Sequence, residues 1–146
     1  MNTNNSCDNA LHALLNYLHD VRGFDDTILD VRLKFDGAND RMNAKDPRAF
    51  CFCVEGENII HCSNALLDLP AEPCIGILLH ELAHLILNAF HGEKAEVDVD
   101  LFCTEKIPEA GYHYRDCTYF NSLLGKEVTA KNIEWVSTDF IHRILE

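Results

Sequence analysis

Three residues of the segment HELAH have the types and the spacing of a metal site. His80 and His84 are four residues apart, so on a helix their rings share one face and are separated by about 6 Å along the axis. Two imidazoles arranged in this way can bind one tetrahedral zinc ion. Glu81 stands beside them and can act as the base that takes a proton from an attacking water. The pattern predicts one Zn²⁺ per chain and a hydrolytic reaction.

The helix that carries this motif is predicted to be deeply buried. Residues 73–90 are apolar almost all round, so a helix formed by them has most of its surface in the core. On an exposed helix the same pattern would not indicate a metal site, because its histidines would simply face water. Burying three ionisable side chains without a metal is costly. The context therefore favours a metal site over a chance occurrence of HExxH.

A catalytic zinc needs a third protein ligand and leaves its fourth position to water. His91 follows His84 after LILNAF, which has no glycine or proline, so an unbroken helix would carry it about 10 Å further along the axis. Glu96 and Asp100 lie four apart, on one face of a helix that can return past the first. We expect Glu96 to bind the metal and Asp100 to orient a ligand, with Asp100 as the rival ligand. A solvated acidic face is the alternative explanation for residues 93–100.

A family resemblance is carried by three stretches: HELAHLIL, Glu96 with Asp100 and Phe102, and Ile107-Pro108. They resemble the active-site helix, the downstream glutamate helix and its apolar-proline ending in gluzincin-type zinc peptidases, especially the ImmA/IrrE-like metallopeptidases of bacteria and prophages. The likeness covers about residues 49–108. It implies a peptidase of phage or prophage setting, with His80, His84 and Glu96 as ligands, Glu81 as base and Asp100 behind a ligand. SprT-like proteases also join HELAH to a later histidine, which would favour His91, but they typically bind DNA.

Composition limits the domain count and the partners. The chain has 146 residues, 47% of them hydrophobic, which is enough for one core, so we expect a single domain over 1–146 with a polar tail at 1–6. A formal charge of -12 disfavours nucleic acid and anionic membranes as partners. The HExxH motif, the acidic helix and the resemblance imply a protein or peptide substrate as the partner. Seven cysteines, an odd number, together with the absence of a leader or a membrane span, predict a reduced, cytoplasmic protein. The oligomeric state is not predicted.

The remaining elements follow from the periodicity of apolar residues. Helices are predicted from about Ser6 to Gly23, over 73–90 with Gly92 as its end, and over 93–107, 116–124 and 130–145. Strands are predicted over 27–35, 49–54 and 59–63, with a loop over 36–48, and the last two strands form a hairpin. We expect 59–63 to be the strand edge that lines the substrate cleft. With the resemblance, these elements predict an α+β class and a compact zincin-like fold, in which a small antiparallel or mixed sheet packs on the HExxH helix.

Two further predictions concern residues around the motif. An oxyanion donor is expected from the group Tyr112, His113, Tyr114 and Tyr119, with His113 as first choice. Alternation in the hairpin indicates that the cysteines at 51, 53 and 62 are packing residues and not a second metal site. Two functions compete with a peptidase. One is a zinc-binding regulatory protein with weak or no catalysis, and the other is a zinc amidase that acts on a small molecule.

Overall fold

The computed structural model describes residues 4–35, 50–114 and 133–145, which contain four α-helices and two small sheets. The helices are α1 (Asn4–Asp20), α2 (Ala71–Leu87), α3 (Gly92–Lys106) and α4 (Thr138–Leu145). A mixed sheet contains β1 (Arg32–Lys34), β2 (Cys51–Cys53) and β3 (Ile59–Cys62), and an antiparallel pair contains β4 (His113–Tyr114) and β5 (Glu134–Trp135). The predicted α+β class is confirmed. The loop predicted over 36–48 and the helix predicted over 116–124 lie outside the described residues.

The three-stranded sheet has the order β1-β3-β2. Strand β3 pairs parallel with β1 and antiparallel with β2, where Cys51 is opposite Cys62. The predicted hairpin is therefore confirmed, and Gly56 supplies the positive φ of its turn. The expectation that 59–63 forms the cleft edge is wrong, because β3 is central and β2 is the outer strand of this hairpin.

The strand predicted over 27–35 is shorter than its alternation indicates. Only Arg32–Lys34 is a strand, and Asp26–Asp30 forms a 3-10 helix. The Asp25 carboxylate caps this turn by accepting a 2.9 Å hydrogen bond from the backbone N–H two residues on. Leu29 is consequently 39% exposed, although the alternation had assigned it to the buried face.

The helix predicted over 130–145 is also shorter. Within the described part, β5 occupies Glu134–Trp135 and the helix begins only at Thr138, where the Ser137 hydroxyl caps it by accepting from a backbone N–H at 3.1 Å. Ile133 and Val136 are buried, but they flank a strand and do not line a helix face. Apolar residues three apart fit either element, so spacing alone did not distinguish them.

Helix α2 is the centre of the core, as predicted, and every residue from Pro73 to His84 is buried. It ends at Leu87 because Asn88 adopts the left-handed conformation, so the expectation that Gly92 closes it is wrong. Gly92 instead begins α3, which is bent by 110° relative to α2. No single helix in the described segments has the length and apolar content to cross a membrane. Helices α2 and α3 meet that test only together, as the bent pair.

Strand β5 crosses α2 at Gly76. A Cβ atom at this position would lie 2.8 Å from the carbonyl carbon and oxygen of Glu134 and from the Cα of Trp135. These neighbours are backbone atoms, which cannot move aside without shifting the strand. The missing side chain at Gly76 therefore allows β5 to lie directly on the motif helix, one turn before His80.

Replacing Gly76 with alanine tests this contact. At an ordinary helical position Gly→Ala stabilises by up to about 1 kcal/mol. Here we expect the added methyl to push β5 away and to lower the free energy of unfolding by about 1–3 kcal/mol. Urea denaturation of the wild type and the variant measures the difference. Because the two effects have opposite signs, an unchanged or increased stability would contradict the close approach.

Candidate metal centre

Helix α2 presents His80, Glu81 and His84 as a buried group. Their ligand atoms lie within 4.8 Å of one another, and all three residues are buried. The two Nε2 atoms of the histidines are 3.2 Å apart. The α2 backbone produces this convergence, since residues four apart lie one turn above each other. This buried His–Glu–His group can hold a metal ion.

Helix α3 adds the carboxylate of Glu96 to the two histidines. Its Oε1 lies 3.2 Å from Nε2 of His80, and its Oε2 lies 2.8 Å from Nε2 of His84. A tetrahedral zinc with bonds of about 2.0–2.1 Å holds its donor atoms about 3.3 Å apart, close to these separations. Burial opposes ionisation of Glu96, but hydrogen bonds from His80 and His84 hold the pKa of its carboxyl well below the usual range. The donor set therefore fits a metal ion.

The far nitrogen of each histidine is hydrogen-bonded, which fixes the ring. Nδ1 of His80 lies 2.8 Å from the Tyr112 hydroxyl, and that hydroxyl donates to Oδ1 of Asp100 at 3.0 Å. Because the tyrosine proton points to Asp100, Nδ1–H of His80 donates to the tyrosine oxygen. Nδ1–H of His84 donates to the carbonyl of Ala89 at 2.5 Å. Because the Nδ1 atoms hold these protons, each Nε2 can give up its hydrogen bond to Glu96 and bind a metal through its lone pair.

Asp100 lies behind His80, on the side away from Glu96. Its Oδ1 is 3.5 Å from Nδ1 of His80, and the stronger link between them runs through Tyr112. The sequence identified Asp100 but not this intermediary, because Tyr112 had been grouped with the candidate oxyanion donors. Its hydroxyl is instead buried against the rear of a ligand ring.

Glu81 has a different environment from Glu96. Burial raises the pKa of Glu81 to about 7, although His84 and His80 both favour its charged form. A carboxyl group with a pKa near neutrality is well matched to accepting and returning a proton at physiological pH. The chain therefore holds two neighbouring glutamates in contrasting states, one firmly ionised and one suited to proton transfer.

A cavity of about 260 Å³ opens onto this group. Residues 50–53, including all of β2, form one wall. The rest of the cavity is lined by polar and by apolar residues. The polar ones are His80, Glu81, His84, Glu96 and Glu134, and the apolar ones are Ile77, Phe90 and Ile133. The candidate metal ligands are thus buried from bulk solvent but reachable from one side.

Two residues considered from the sequence do not join the group. The side chain of His91 is 85% exposed and lies 3.8 Å from Glu55, because α2 ends before reaching it. His113 is also exposed, and its Nδ1–H donates to the carbonyl of Gly111 at 2.9 Å. Neither residue lines the cavity. His113 is therefore not a candidate for the oxyanion donor. Tyr119 lies outside the described residues.

Glu134 is a site residue that sequence reasoning missed. It is 6% exposed, lines the cavity, and places Oε1 3.5 Å from Nδ1 of His80. The segment around it had been assigned to an amphipathic helix, in which an acidic residue attracts no notice. The available signal was a single charge within the run Ile133 to Val136, whose other members are apolar.

Comparison with protein-family models, with curated proteins and with solved structures gives no match for this chain. The resemblance to gluzincin-type peptidases therefore depends on the motif residues alone. The structure adds to it a buried His80, Glu81 and His84 cluster with HExxH spacing that can hold a metal.

Metal binding can be tested by comparing Glu96→Gln, Tyr112→Phe and His91→Ala. We expect Tyr112→Phe to weaken zinc binding about 10- to 100-fold, as loss of a ligand's supporting hydrogen bond does, and Glu96→Gln to weaken it more. His91→Ala is the matched control and should bind as the wild type does. Competition with a chromogenic chelator measures each affinity. A larger loss in His91→Ala than in Glu96→Gln would contradict the ligand assignment.

Proposed function

We propose that this chain is a zinc-dependent peptidase, with His80, His84 and Glu96 as metal ligands and Glu81 as general base. The observation that carries the proposal is the approach of the two Nε2 atoms and the Glu96 carboxylate to within 3.2 Å of one another on a cavity wall. This is the separation of donors around a tetrahedral ion.

Zinc is the metal that we favour. Two imidazole nitrogens and one carboxylate oxygen are a typical ligand set of a catalytic zinc site, which leaves a fourth position for water or substrate. The same donor set also suits non-haem iron. A buried carboxyl group whose pKa is about 7, next to the ligands, supports hydrolysis, because that reaction needs a proton acceptor at this position.

When bound, zinc would activate a water molecule and polarise the carbonyl group of the scissile bond. The carboxylate of Glu81 would take the proton from the attacking water and deliver it to the nitrogen of the leaving amine. The hydrogen bonds from Nδ1 of His80 to Tyr112 and from Nδ1 of His84 to Ala89 would hold each imidazole ring with its Nε2 directed at the metal. Glu96 would remain ionised throughout, since its carboxylate would bind the cation.

The cavity and β2 support a peptide as the substrate. A volume of about 260 Å³ is below the approximately 300–1,000 Å³ of sites that enclose a small-molecule ligand, so it suits one residue of a longer chain. Phe50 and Phe52 favour an apolar side chain there. The rest of the peptide would extend along Cys51–Cys53 and hydrogen-bond to its backbone as an added strand.

The two competing functions fit less well. A small-molecule amidase would need a cavity that encloses its substrate. A structural zinc in a regulatory protein would be closed by four protein ligands, whereas here the ligand atoms adjoin a cavity. Our proposal includes a cytoplasmic location, which is consistent with six free cysteines in the described segments.

The reaction is tested by Glu81→Gln. This variant should keep about one zinc per chain but lose hydrolysis of a fluorogenic peptide library about 100- to 10,000-fold, because the proton acceptor is gone. The exposed Glu93→Gln is the control and should retain wild-type turnover. Metal content and initial rates are measured on the same preparations. Retained hydrolysis in Glu81→Gln would exclude this mechanism.

A further inference from the structure

Glu134 is a buried carboxylate that the proposed reaction does not use. It lies on β5, which Gly76 allows to pack directly on α2, and only 6% of the residue is exposed. Its side chain shares the cavity wall with Glu81 and Glu96. A charged group buried in this way needs compensation from a hydrogen bond or an opposite charge.

The surrounding protein gives Glu134 little compensation. Oε1 of Glu134 lies 3.5 Å from Nδ1 of His80, but Nδ1–H is directed to the Tyr112 hydroxyl at 2.8 Å. The tyrosine proton is in turn given to Asp100. Within the described residues, the Glu134 carboxylate accepts no side-chain hydrogen bond, and besides His80 only a backbone hydrogen bond at Glu134 itself favours its charged form. A ligand that brings a positive charge would relieve this deficit.

The charge balance of the cavity leads to the same conclusion. Four acidic side chains surround the histidine pair, namely Glu81, Glu96, Asp100 and Glu134. Both histidines must be neutral at Nε2 to bind a metal, so a divalent cation supplies only two positive charges to these four carboxyl groups. Among the described residues that line the cavity there is no lysine or arginine. The loaded site therefore retains an excess of negative charge.

We propose that Glu134 binds an ammonium group of the substrate, in an extension of the peptidase proposal on which this inference rests. The group is either the α-ammonium of a peptide N-terminus or the ε-ammonium of a lysine side chain. The first fits this position because Glu134 lines the same cavity as the candidate ligands, and an α-amino nitrogen is only two bonds from the carbonyl carbon of its own residue. A cavity that holds one residue also suits a chain end. Glu134 is then a specificity-determining residue.

Hydroxamates that differ only in an amino group test this assignment by binding, without hydrolysis. Leucine hydroxamate is compared with 4-methylpentanoic hydroxamic acid for the α-ammonium, and 6-aminohexanoic with hexanoic hydroxamic acid for the ε-ammonium. Each is titrated calorimetrically into zinc-loaded protein at neutral pH. We expect one amino compound to bind about tenfold or more tightly than its amine-free partner, as a charge-assisted hydrogen bond provides. The pair that differs identifies the source of the ammonium group.

In Glu134→Gln the advantage of the amino compound should disappear, while the amine-free compound binds as it does to the wild type. Glu93→Gln, at an exposed position, should keep the full advantage. Equal affinities within both pairs in the wild type would overturn the proposal, even if no variant folds. Equal weakening of both members of a pair in Glu134→Gln would also overturn it, because Glu134 would then act through His80. A wild type that keeps the amine preference but cleaves no peptide would contradict the peptidase proposal alone.

Discussion

The structure depends on one constraint, which is the burial of two imidazoles and a carboxylate within the most apolar of the described helices. His80, Glu81 and His84 are only 5–7% exposed, in a helix segment whose leucines are fully buried. Ionisable groups in such a position need partners on every side. Tyr112 and Ala89 accept hydrogen bonds from the Nδ1 atoms of the two histidines, and the Glu96 carboxylate lies against their Nε2 atoms. The rest of the fold supplies these partners, and the group can hold a metal ion.

The turn between α2 and α3 determines which residue lies against the two histidines. Asn88 ends α2 in a left-handed conformation, and the chain bends by 110° before Gly92. This bend directs the first turns of α3 back toward the histidines and brings Glu96 to them. His91 lies in the bend itself and faces solvent. A short link with Asn88 thus performs the reversal for which other HExxH arrangements use a longer connection or a glycine.

Local patterns allowed the motif helix, the hairpin and the returning acidic helix to be predicted from the sequence, because each has a distinct period or turn signal. Two parts of the site were not predictable in this way. The interval from Ile133 to Val136 fits a helix and a strand equally, so β5 and Glu134 were missed. The contact of Tyr112 with His80 joins residues far apart in sequence, and no local rule indicates such a contact. The exposure of His113 likewise depends on the pairing of β4 with β5.

The central claim is that three side chains from two helices bind one metal ion and leave a position open to the cavity. A crystal structure of the zinc-loaded protein, with the ion located by anomalous scattering, tests this most directly. We predict zinc bound to Nε2 of His80, Nε2 of His84 and a carboxylate oxygen of Glu96, with a non-protein ligand in the fourth position. An ion located elsewhere, or one closed by a fourth protein ligand, would contradict the account.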